Sequence, residues 1–411
     1  MMWAATFFDG EEWRDGTLVE HDGRMLVRDE PPAPGLPRLD GAVIGGFTDH
    51  HVHLQLVDAS LLDGSRLGRV VDLGANPAVL RSYVGDGRFD SLRSLNDRED
   101  PRSLSEERSD ETKRPFPTTS DRGHDARFDS LRSLNDRESP RSLSEERSDE
   151  TKRPFHTTTA HGRFDSLRSL NDREAARSDE RKRPFRTSTV VEYAGAFLTP
   201  VGGYPSDRSW APAGSVREIA TTADAASAVA EMADAGAPCI KVASNSTAGP
   251  VFDDDLFRMI VELAGRRGLP VVAHAEGAGE AQRAARLGAT ALAHTPFTEH
   301  LTDEEIAEQA ASVSWISTLA IHGDPERTTA IDNARRFVAA GGTLHYGTDM
   351  GNGPSPVDLN AAELSALREA GLDGIPLLRA LAPADPRDPA SLLLLLSRET
   401  SDPFDARPLK V

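Results

Sequence analysis

Cysteine is almost absent from this chain. One residue, Cys239, is the only cysteine among 411 residues, which excludes an internal disulfide framework and fits a reducing compartment. Long apolar runs are lacking too, since the most apolar one, Leu392–Leu396, is far too short to cross a bilayer. Residues 1–16 carry acidic side chains where a signal peptide needs a basic and then an apolar stretch. The sequence therefore predicts a cytoplasmic protein.

Basic residues are outnumbered. The chain has 47 Lys and Arg against 66 Asp and Glu, giving a formal net charge of -19. An acidic protein is repelled by phosphate backbones and anionic lipids, so we expect neither nucleic acid nor a membrane as partner. The sequence leaves open whether identical subunits associate.

The two chain ends carry strand-like segments. Residues 1–45 contain short alternating stretches, Thr17–Glu20 and Arg24–Arg28, separated by Asp-Gly turns. These strands are too few to be stable alone, and the leucine-rich run at Leu392–Leu396 is a candidate partner. We predict a small β-sandwich domain formed by residues 1–45 and 386–411.

The pattern changes to strand, loop and helix over residues 46–385. The predicted strands are Ala42–Phe47, Arg69–Leu73, Val190–Phe197, Pro238–Ala243, Leu269–His274, Ala289–His294, Ser312–Thr318 and Gly342–Asp349. The predicted helices are Ala223–Ala235, Asp253–Arg267, Gly277–Leu287, Thr302–Ala310 and Pro325–Ala340. Eight strands alternating with helices predict an α/β fold of the (β/α)8 TIM-barrel type. The alternative, an open doubly wound sheet, lacks its glycine-rich phosphate loop after the first strand.

One region breaks this pattern. Three identical twelve-residue copies stand at Arg88–Glu99, Arg127–Glu138 and Arg163–Glu174. Each copy is mostly Arg, Ser, Asp and Glu, so stacked copies would bury little apolar surface. Residues 76–84, after the second strand, could start a further helix. We interpret residues 88–185 as a low-complexity charged insert between that helix and the third strand, on the face opposite the catalytic end of a barrel. A partner-binding arm is the alternative.

The first predicted strand leads into a histidine pair. The apolar run Ala42–Phe47 is followed by Asp49, His51 and His53. Side chains two apart on a strand point the same way, so both imidazoles project together. Two imidazoles on one side are an arrangement typical of a metal site.

Later strand ends supply further ligand types. His274, His294 and Asp349 each close a predicted strand, and barrel active sites lie at those ends. Lys241 lies in the apolar strand Cys-Ile-Lys-Val-Ala, where an ammonium is costly to bury unless it is paired or modified. Together with His51 and His53, these residues predict one metal centre.

In these motifs the chain resembles the amidohydrolase superfamily of metal-dependent hydrolases. The first-strand signature, a glycine and Phe before Asp-X-His-X-His, is matched by Gly46, Phe47, Asp49, His51 and His53. Ile-Lys-Val-Ala, Val-Val-Ala-His-Ala and Gly-Thr-Asp-Met-Gly look most like the imidazolonepropionase and prolidase-like branch. The resemblance implies a barrel with a small β-domain made from both chain ends.

The resemblance also implies a binuclear centre. His51, His53 and Asp349 would bind one divalent ion, and His274 and His294 the second. Lys241, carboxylated by carbon dioxide, would bridge both ions as a carbamate. Nitrogen and oxygen ligands without thiolate suit Zn, with Mn, Co or Ni as alternatives.

The implied reaction is hydrolysis by metal-activated water, with Asp349 as the catalytic residue that accepts its proton and passes it to the leaving group. We expect a small-molecule substrate with an amide or other C–N bond, dipeptide-like or a cyclic amide. A lactonase or esterase is the first alternative, because the ligands do not distinguish ester from amide. A mononuclear deaminase and a catalytically silent scaffold are the others.

Five further residues receive weaker assignments. Tyr204, in the loop after the third strand, and His322, after the seventh, are candidate substrate contacts, with plain loop roles as the alternative. We expect Cys239 to pack in the core, His50 to lie outside the first set of ligands, and His345 to be structural.

Overall fold

A computed structural model describes residues 1–21, 23–83, 189–397 and 402–409. The three repeats and the whole of the predicted insert 88–185 lie outside the described residues. Within the described ranges the strands are β1 Met2–Phe8, β2 Trp13–His21, β3 Arg24–Arg28, β4 Arg38–Gly45, β5 Phe47–Val52, β6 Leu67–Asp72, β7 Val190–Tyr193, β8 Phe197–Pro200, β9 Val216–Ile219, β10 Ile240–Asn245, β11 Val271–Glu276, β12 Ala291–Leu292, β13 Ser314–Ile316, β14 Leu344–His345, β15 Leu393–Leu396 and β16 Arg407–Pro408.

Both chain ends contribute to one six-stranded sheet, in the order β16-β15-β4-β1-β2-β3. Leu394 of β15 pairs with Ile44 of β4, which joins the C-terminal run to the N-terminal strands as expected. Among the described residues these strands form one mixed sheet, with a small apolar cluster that includes Phe7 and Leu18. The β-sandwich domain itself stays a prediction.

The first predicted strand is wrong in its assignment. Ala42–Gly45 belongs to β4 in the six-stranded sheet, and the first strand of the parallel system is β5, from Phe47 to Val52. The chain changes sheets at Gly46, where an added Cβ would lie 2.6 Å from the backbone of Gly68. An uninterrupted apolar run hid this change, because both strands are buried there.

The parallel strands form two sheets, β5-β6-β7 and β14-β13-β12-β11-β10-β8-β9. β7 and β8 are consecutive pieces of one segment, interrupted near Gly195, whose φ is 79°. At the other side, the His50 N–H donates to the Tyr346 carbonyl (3.0 Å) and the His53 N–H to the Met350 carbonyl (2.7 Å). The two sheets thus share one segment and are hydrogen-bonded through another.

Helices lie between most parallel strands. Their bounds are Pro77–Tyr83, Thr222–Asp234, Asp254–Gly265, Glu280–Arg286, Asp303–Ser312, Glu326–Ala339, Ala361–Glu369 and Gly374–Ala380, and single 3-10 turns occur at Leu54–Leu56, Ala59–Leu62, Leu319–Ile321 and Pro403–Asp405. The five helices predicted from sequence agree with this to within three residues at each end. Reciprocal side-chain caps explain two starts, at Thr221 with Asp224 and at Thr302 with Glu305.

Two helices, Ala361–Glu369 and Gly374–Ala380, and the edge strand β9 were not predicted. Each is short, and β9 has no strong apolar alternation. None of the described helices is both long and apolar enough to span a bilayer.

Candidate metal centre

His51, His53 and Asp349 converge at the carboxyl ends of the parallel strands. Asp349 Oδ1 lies 3.2 Å from His51 Nε2 and 3.1 Å from His53 Nε2, and all three side chains are buried. Their ligand atoms lie within 4.8 Å of one another, so this group could hold a metal ion. β5 carries His51, and His53 directly follows its last residue, Val52, so both imidazoles reach the same oxygen of Asp349.

Partners outside the group fix the orientation of these ligands. His51 Nδ1 lies 2.8 Å from the Ala293 carbonyl, which can only accept, so Nδ1 carries the proton and the Nε2 lone pair is free. His53 Nδ1 faces the Gly74 carbonyl at 3.4 Å. Asn352 donates to Asp349 Oδ2 at 2.8 Å, which leaves Oδ1 directed at the imidazoles. Three backbone or amide partners therefore point the ligand atoms inward.

The charges in the group suit a cation. Burial acts to raise the pKa of Asp349, but His51 and His53 beside it outweigh burial and hold that pKa well below the ordinary value. Burial lowers the pKa of His51 well below its usual range. Asp349 and His51 therefore have the protonation states that metal binding requires, whereas Asp349 outweighs burial and raises the pKa of His53, so metal binding there would displace a proton.

Lys241 is the least expected group in this region. Its side chain is 1% exposed and Nζ makes no hydrogen bond. Burial lowers the pKa of Lys241 to about 7, although Asp349 and Asp72 act in the opposite direction. His51 Nε2 and Asp349 Oδ1 are likewise buried without a hydrogen bond. Three unpartnered buried ligand atoms fit a site that takes up cations, because such atoms otherwise cost free energy.

His274 and His294 are placed differently from each other. The His294 ring lies 4.7 Å from the His51 ring between centroids, and its Nδ1 is 2.9 Å from Thr318 Oγ1. The His274 ring lies 4.9 Å from that of His294, but His274 Nε2 contacts Glu276 Oε2 at 3.1 Å. His294 thus adjoins the first group, whereas His274 is engaged by a carboxylate that sequence reasoning missed.

Asp49 ties the first strand to the last. It accepts hydrogen bonds from the Thr348 N–H (3.1 Å), the Thr348 hydroxyl (2.6 Å) and the His51 N–H (3.0 Å). Burial raises the pKa of Asp49 to about 7 despite these donors. The motif Asp-X-His-X-His marked this residue, but its partner, Thr348, lies 299 positions away and could not be read from sequence.

Two aromatic side chains, Tyr204 and Trp210, lie beside the histidines. With His51, His53, His274 and His294 they form a closed series of neighbouring rings. Tyr204 stacks on His274 with 5.2 Å between centroids, and Trp210 lies 6.0 Å from Tyr204 and 6.4 Å from His53. Tyr204 was predicted as a substrate contact and lies beside a predicted ligand. Trp210 was missed, because a lone Trp in a polar loop carries no periodic signal. We call Tyr204 and Trp210 the aromatic rim.

The His322 ring packs against the ring of Phe297. Its ring is 4.1 Å from Phe297, which in turn is 6.2 Å from His294. Burial lowers the pKa of His322 to about 4, so the ring is neutral at neutral pH. His322 is near the centre without being part of the ligand group, and its contact with substrate stays a prediction.

Cys239, His50 and His345, which were not predicted to bind metal or substrate, make packing and backbone contacts. Cys239 is buried in a cluster with Val272 and Ala293. His50 Nδ1 lies 3.0 Å from the Tyr346 carbonyl, and its ring is 4.6 Å from that of His345. His50 therefore contacts the backbone and the ring of His345, and neither histidine belongs to the ligand group.

Solved structures share this fold. A Xaa-Pro dipeptidase with bound methionine is similar with a TM-score of 0.51 and 14% identity, covering 92% of this chain and 86% of that one. The A. niger ochratoxinase has a TM-score of 0.57 at 14% identity, covering 98% and 91%. A prolidase complexed with N-methylphosphonate-L-proline has a TM-score of 0.51 at 15% identity, covering 100% and 98%. No protein-family model matches the chain, and no curated protein matches it in sequence.

Proposed function

We propose that this chain is a metal-dependent amidohydrolase that cleaves an amide or other C–N bond of a small molecule. The observation that carries the proposal is the convergence of His51, His53 and Asp349 beside the buried, unpartnered Lys241. The likeness to a dipeptidase, a prolidase and an ochratoxinase supports it at the level of the fold. Membership of the amidohydrolase superfamily is part of this proposal.

The fold we propose for this activity is a closed (β/α)8 barrel. The shared segment of β7 and β8 and the hydrogen bonds from β5 to residues 346 and 350 support closure. His51, His53, His274, His294 and Asp349 then lie near or just beyond the carboxyl ends of strands, where barrel enzymes have their active sites, whereas Lys241 is the second residue of β10. The barrel would span residues 46–385, interrupted by 88–185.

His51, His53 and Asp349 would hold one divalent ion, and His274 and His294 a second. The nitrogen and oxygen donors suit zinc, with Mn, Co or Ni as alternatives. Lys241 would bridge the two as a carbamate, since an amine with a pKa near 7 is substantially neutral at neutral pH and so can attack carbon dioxide. This conversion replaces a costly buried ammonium by an anion among cations.

Divalent ions bound there would supply an activated water and polarise the scissile carbonyl. Asp349, held by Asn352 through Oδ2, has Oδ1 free to accept a proton and return it to the leaving nitrogen. Tyr204, which stacks on His274, and His322, which lies against Phe297, would contact substrate.

A mononuclear deaminase is the second candidate, and one observation favours it. His274 Nε2 contacts Glu276 Oε2 at 3.1 Å, and a single ion with a neighbouring carboxylate for proton transfer is consistent with that contact. Lys241 would then have no metal role, which leaves its burial unexplained.

Metal content per chain tests the proposal. Wild type, Lys241→Ala and the control Cys239→Ala would be expressed with bicarbonate and analysed for metals, then assayed against matched amides and lactones. We expect about two equivalents in wild type and in the control, and a sharp fall in Lys241→Ala. About one equivalent that is indifferent to Lys241, with ammonia released, would establish the deaminase instead. Lactone turnover without amide turnover would assign an esterase, and no metal in any variant would contradict both candidates.

A further inference from the structure

Glu276, the last residue of β11, presents a rigidly held carboxylate beside the candidate metal centre. Its Oε2 accepts from Asn245 Nδ2 at 2.7 Å, and its Oε1 lies 3.1 Å from the Thr247 hydroxyl, which also faces Asn245 Oδ1 at 2.7 Å. The third donor is His274 Nε2, also at 3.1 Å from Oε2. Two of the three donors come from the end of β10 and the turn after it, so the carboxylate keeps its position without His274.

The carboxylate is accessible. The Glu276 side chain is 26% exposed, whereas that of His274 is 11% exposed. Tyr204 stacks on His274, so the aromatic rim begins beside the same imidazole that Glu276 contacts. Trp210 extends the rim and is 39% exposed. Glu276 and Tyr204 therefore contact the same imidazole, and Trp210 lies beyond Tyr204.

A carboxylate next to aromatic faces is an arrangement suited to an organic cation. Aromatic rings attract a cation through their quadrupole, and a carboxylate supplies a charge-assisted hydrogen bond. If His274 Nε2 binds a metal ion, Glu276 retains Asn245 and Thr247 and regains acceptor capacity on Oε2, because a carboxylate offers about four acceptor sites. An ammonium group brings up to three donors.

We propose that Glu276 and the aromatic rim form a subsite for a protonated amine of the substrate. The proposal rests on the proposed function and narrows it to amides or related compounds that carry a primary ammonium group. Arg208 is a cationic group at the rim, with its guanidinium carbon 5.8 Å from the Tyr204 ring centroid, one N–H directed at the Ala248 carbonyl at 3.4 Å and its Nε 3.3 Å from Asp207 Oδ1. An anionic probe therefore belongs in the test.

Binding of three matched probes tests this subsite without turnover. Phenethylamine, 2-phenylethanol and 3-phenylpropionate share a ring and a two-carbon chain but end in a cation, a neutral group and an anion. Ligand-detected NMR titrations on the zinc-loaded full chain would compare wild type, Glu276→Gln, Trp210→Leu and the exposed control Glu304→Gln. We expect the amine to bind about tenfold more weakly to Glu276→Gln, since a hydrogen bond to a charged group is lost. The alcohol should be unaffected.

Each other outcome is decisive. Equal binding of amine and alcohol to wild type, or preference for the carboxylate probe, would overturn the subsite. Loss of zinc from Glu276→Gln would show that Glu276 is a ligand instead. Trp210 lies beside Tyr204 and His53, so zinc content is measured for Trp210→Leu as well. With zinc retained, this variant should weaken the amine more than the alcohol. Because probe binding needs no hydrolysis, an inactive chain that still prefers the amine would refute the proposed reaction and leave the subsite standing.

Discussion

The hydroxyl of Thr318 lies 2.9 Å from Nδ1 of His294, and Thr318 holds a left-handed backbone conformation with φ of 42°. A β-branched residue adopts that conformation rarely and at a cost. The Thr318 N–H donates to the Gly347 carbonyl at 3.0 Å, and Glu363 accepts the N–H groups of the next two residues. These contacts hold the strained turn, and the turn orients His294.

We expect Thr318→Val to weaken metal binding about 10- to 100-fold, the usual effect of removing an outer partner of a ligating histidine. Valine keeps the shape and the backbone strain but removes the oxygen that orients Nδ1. Thr318→Ser should retain most of the affinity. Zinc affinity measured by competition with a chelator would check this, with the exposed Thr328→Val as control. Equal affinities of the Val and Ser variants would show that the hydroxyl has no role in orienting His294.

We expect Lys241 to lower the stability of the metal-free fold at neutral pH and to be required for metal binding. Burial lowers the pKa of Lys241 to about 7 in the folded chain, so the unfolded chain binds more protons between about pH 7 and 10 and stability rises with pH there. For metal-free protein in carbonate-free buffer, we expect the free energy of unfolding to rise by about 2 kcal/mol from pH 7 to pH 9 through this group. Lys241→Met should lack that rise and be more stable at pH 7, while losing metal. Urea titrations at both pH values measure it, and identical slopes in the two proteins would rule out a buried amine.

Glu363 should make the free energy of unfolding depend on pH in the opposite direction. Burial raises the pKa of this carboxyl to about 6, above the ordinary 4.5. The folded chain therefore binds more protons between those values, and this contribution to stability is full below pH 4.5 and is lost as pH rises through 6. The difference amounts to about 2 kcal/mol.

Unfolding of Glu363→Gln at pH 4.5 and pH 7 isolates this contribution. The variant loses one charge-assisted acceptor and should be less stable at pH 7, but it should lack the 2 kcal/mol fall seen in wild type. Glu369→Gln, on the same helix but exposed, serves as the control. A wild-type slope unchanged in Glu363→Gln would contradict the prediction.

Alanine substitutions at Gly46 and Gly265 form a matched pair, one with a steric clash and one without. A Cβ on Gly46 would lie 2.6 Å from the backbone of Gly68, while one on Gly265 would meet nothing within 4 Å. Gly46→Ala should destabilise the fold by about 1 to 3 kcal/mol, because two backbones must separate. Gly265→Ala, at the end of the helix Asp254–Gly265, should stabilise it by about 0.5 to 1 kcal/mol. Denaturant midpoints test both, and a neutral Gly46→Ala would mean that the sheet junction can shift.

The amino-acid sequence by itself determined the local elements and the types of ligand. Strand alternation alone places His51 and His53 on one side, and acidic starts and glycine ends mark the helices to within a few residues. The spacing of apolar segments also predicted parallel strands and the joining of both chain ends. These features depend on near neighbours in the chain, so a local pattern contains them.

Only the tertiary structure decided the rest, because it depends on contacts between distant residues. The split of one apolar run into β4 and β5 follows from the approach of Gly46 to Gly68. The free nitrogen of His51 is set by the Ala293 carbonyl, 242 positions away. Glu276 lies at the site because it contacts His274. Trp210 lies there because it packs near Tyr204 and His53. The spacing of residues in the sequence predicts neither contact. A ligand set can therefore be read from periodicity, whereas the shape and charge of the surrounding site arise only when the strand ends and their loops meet.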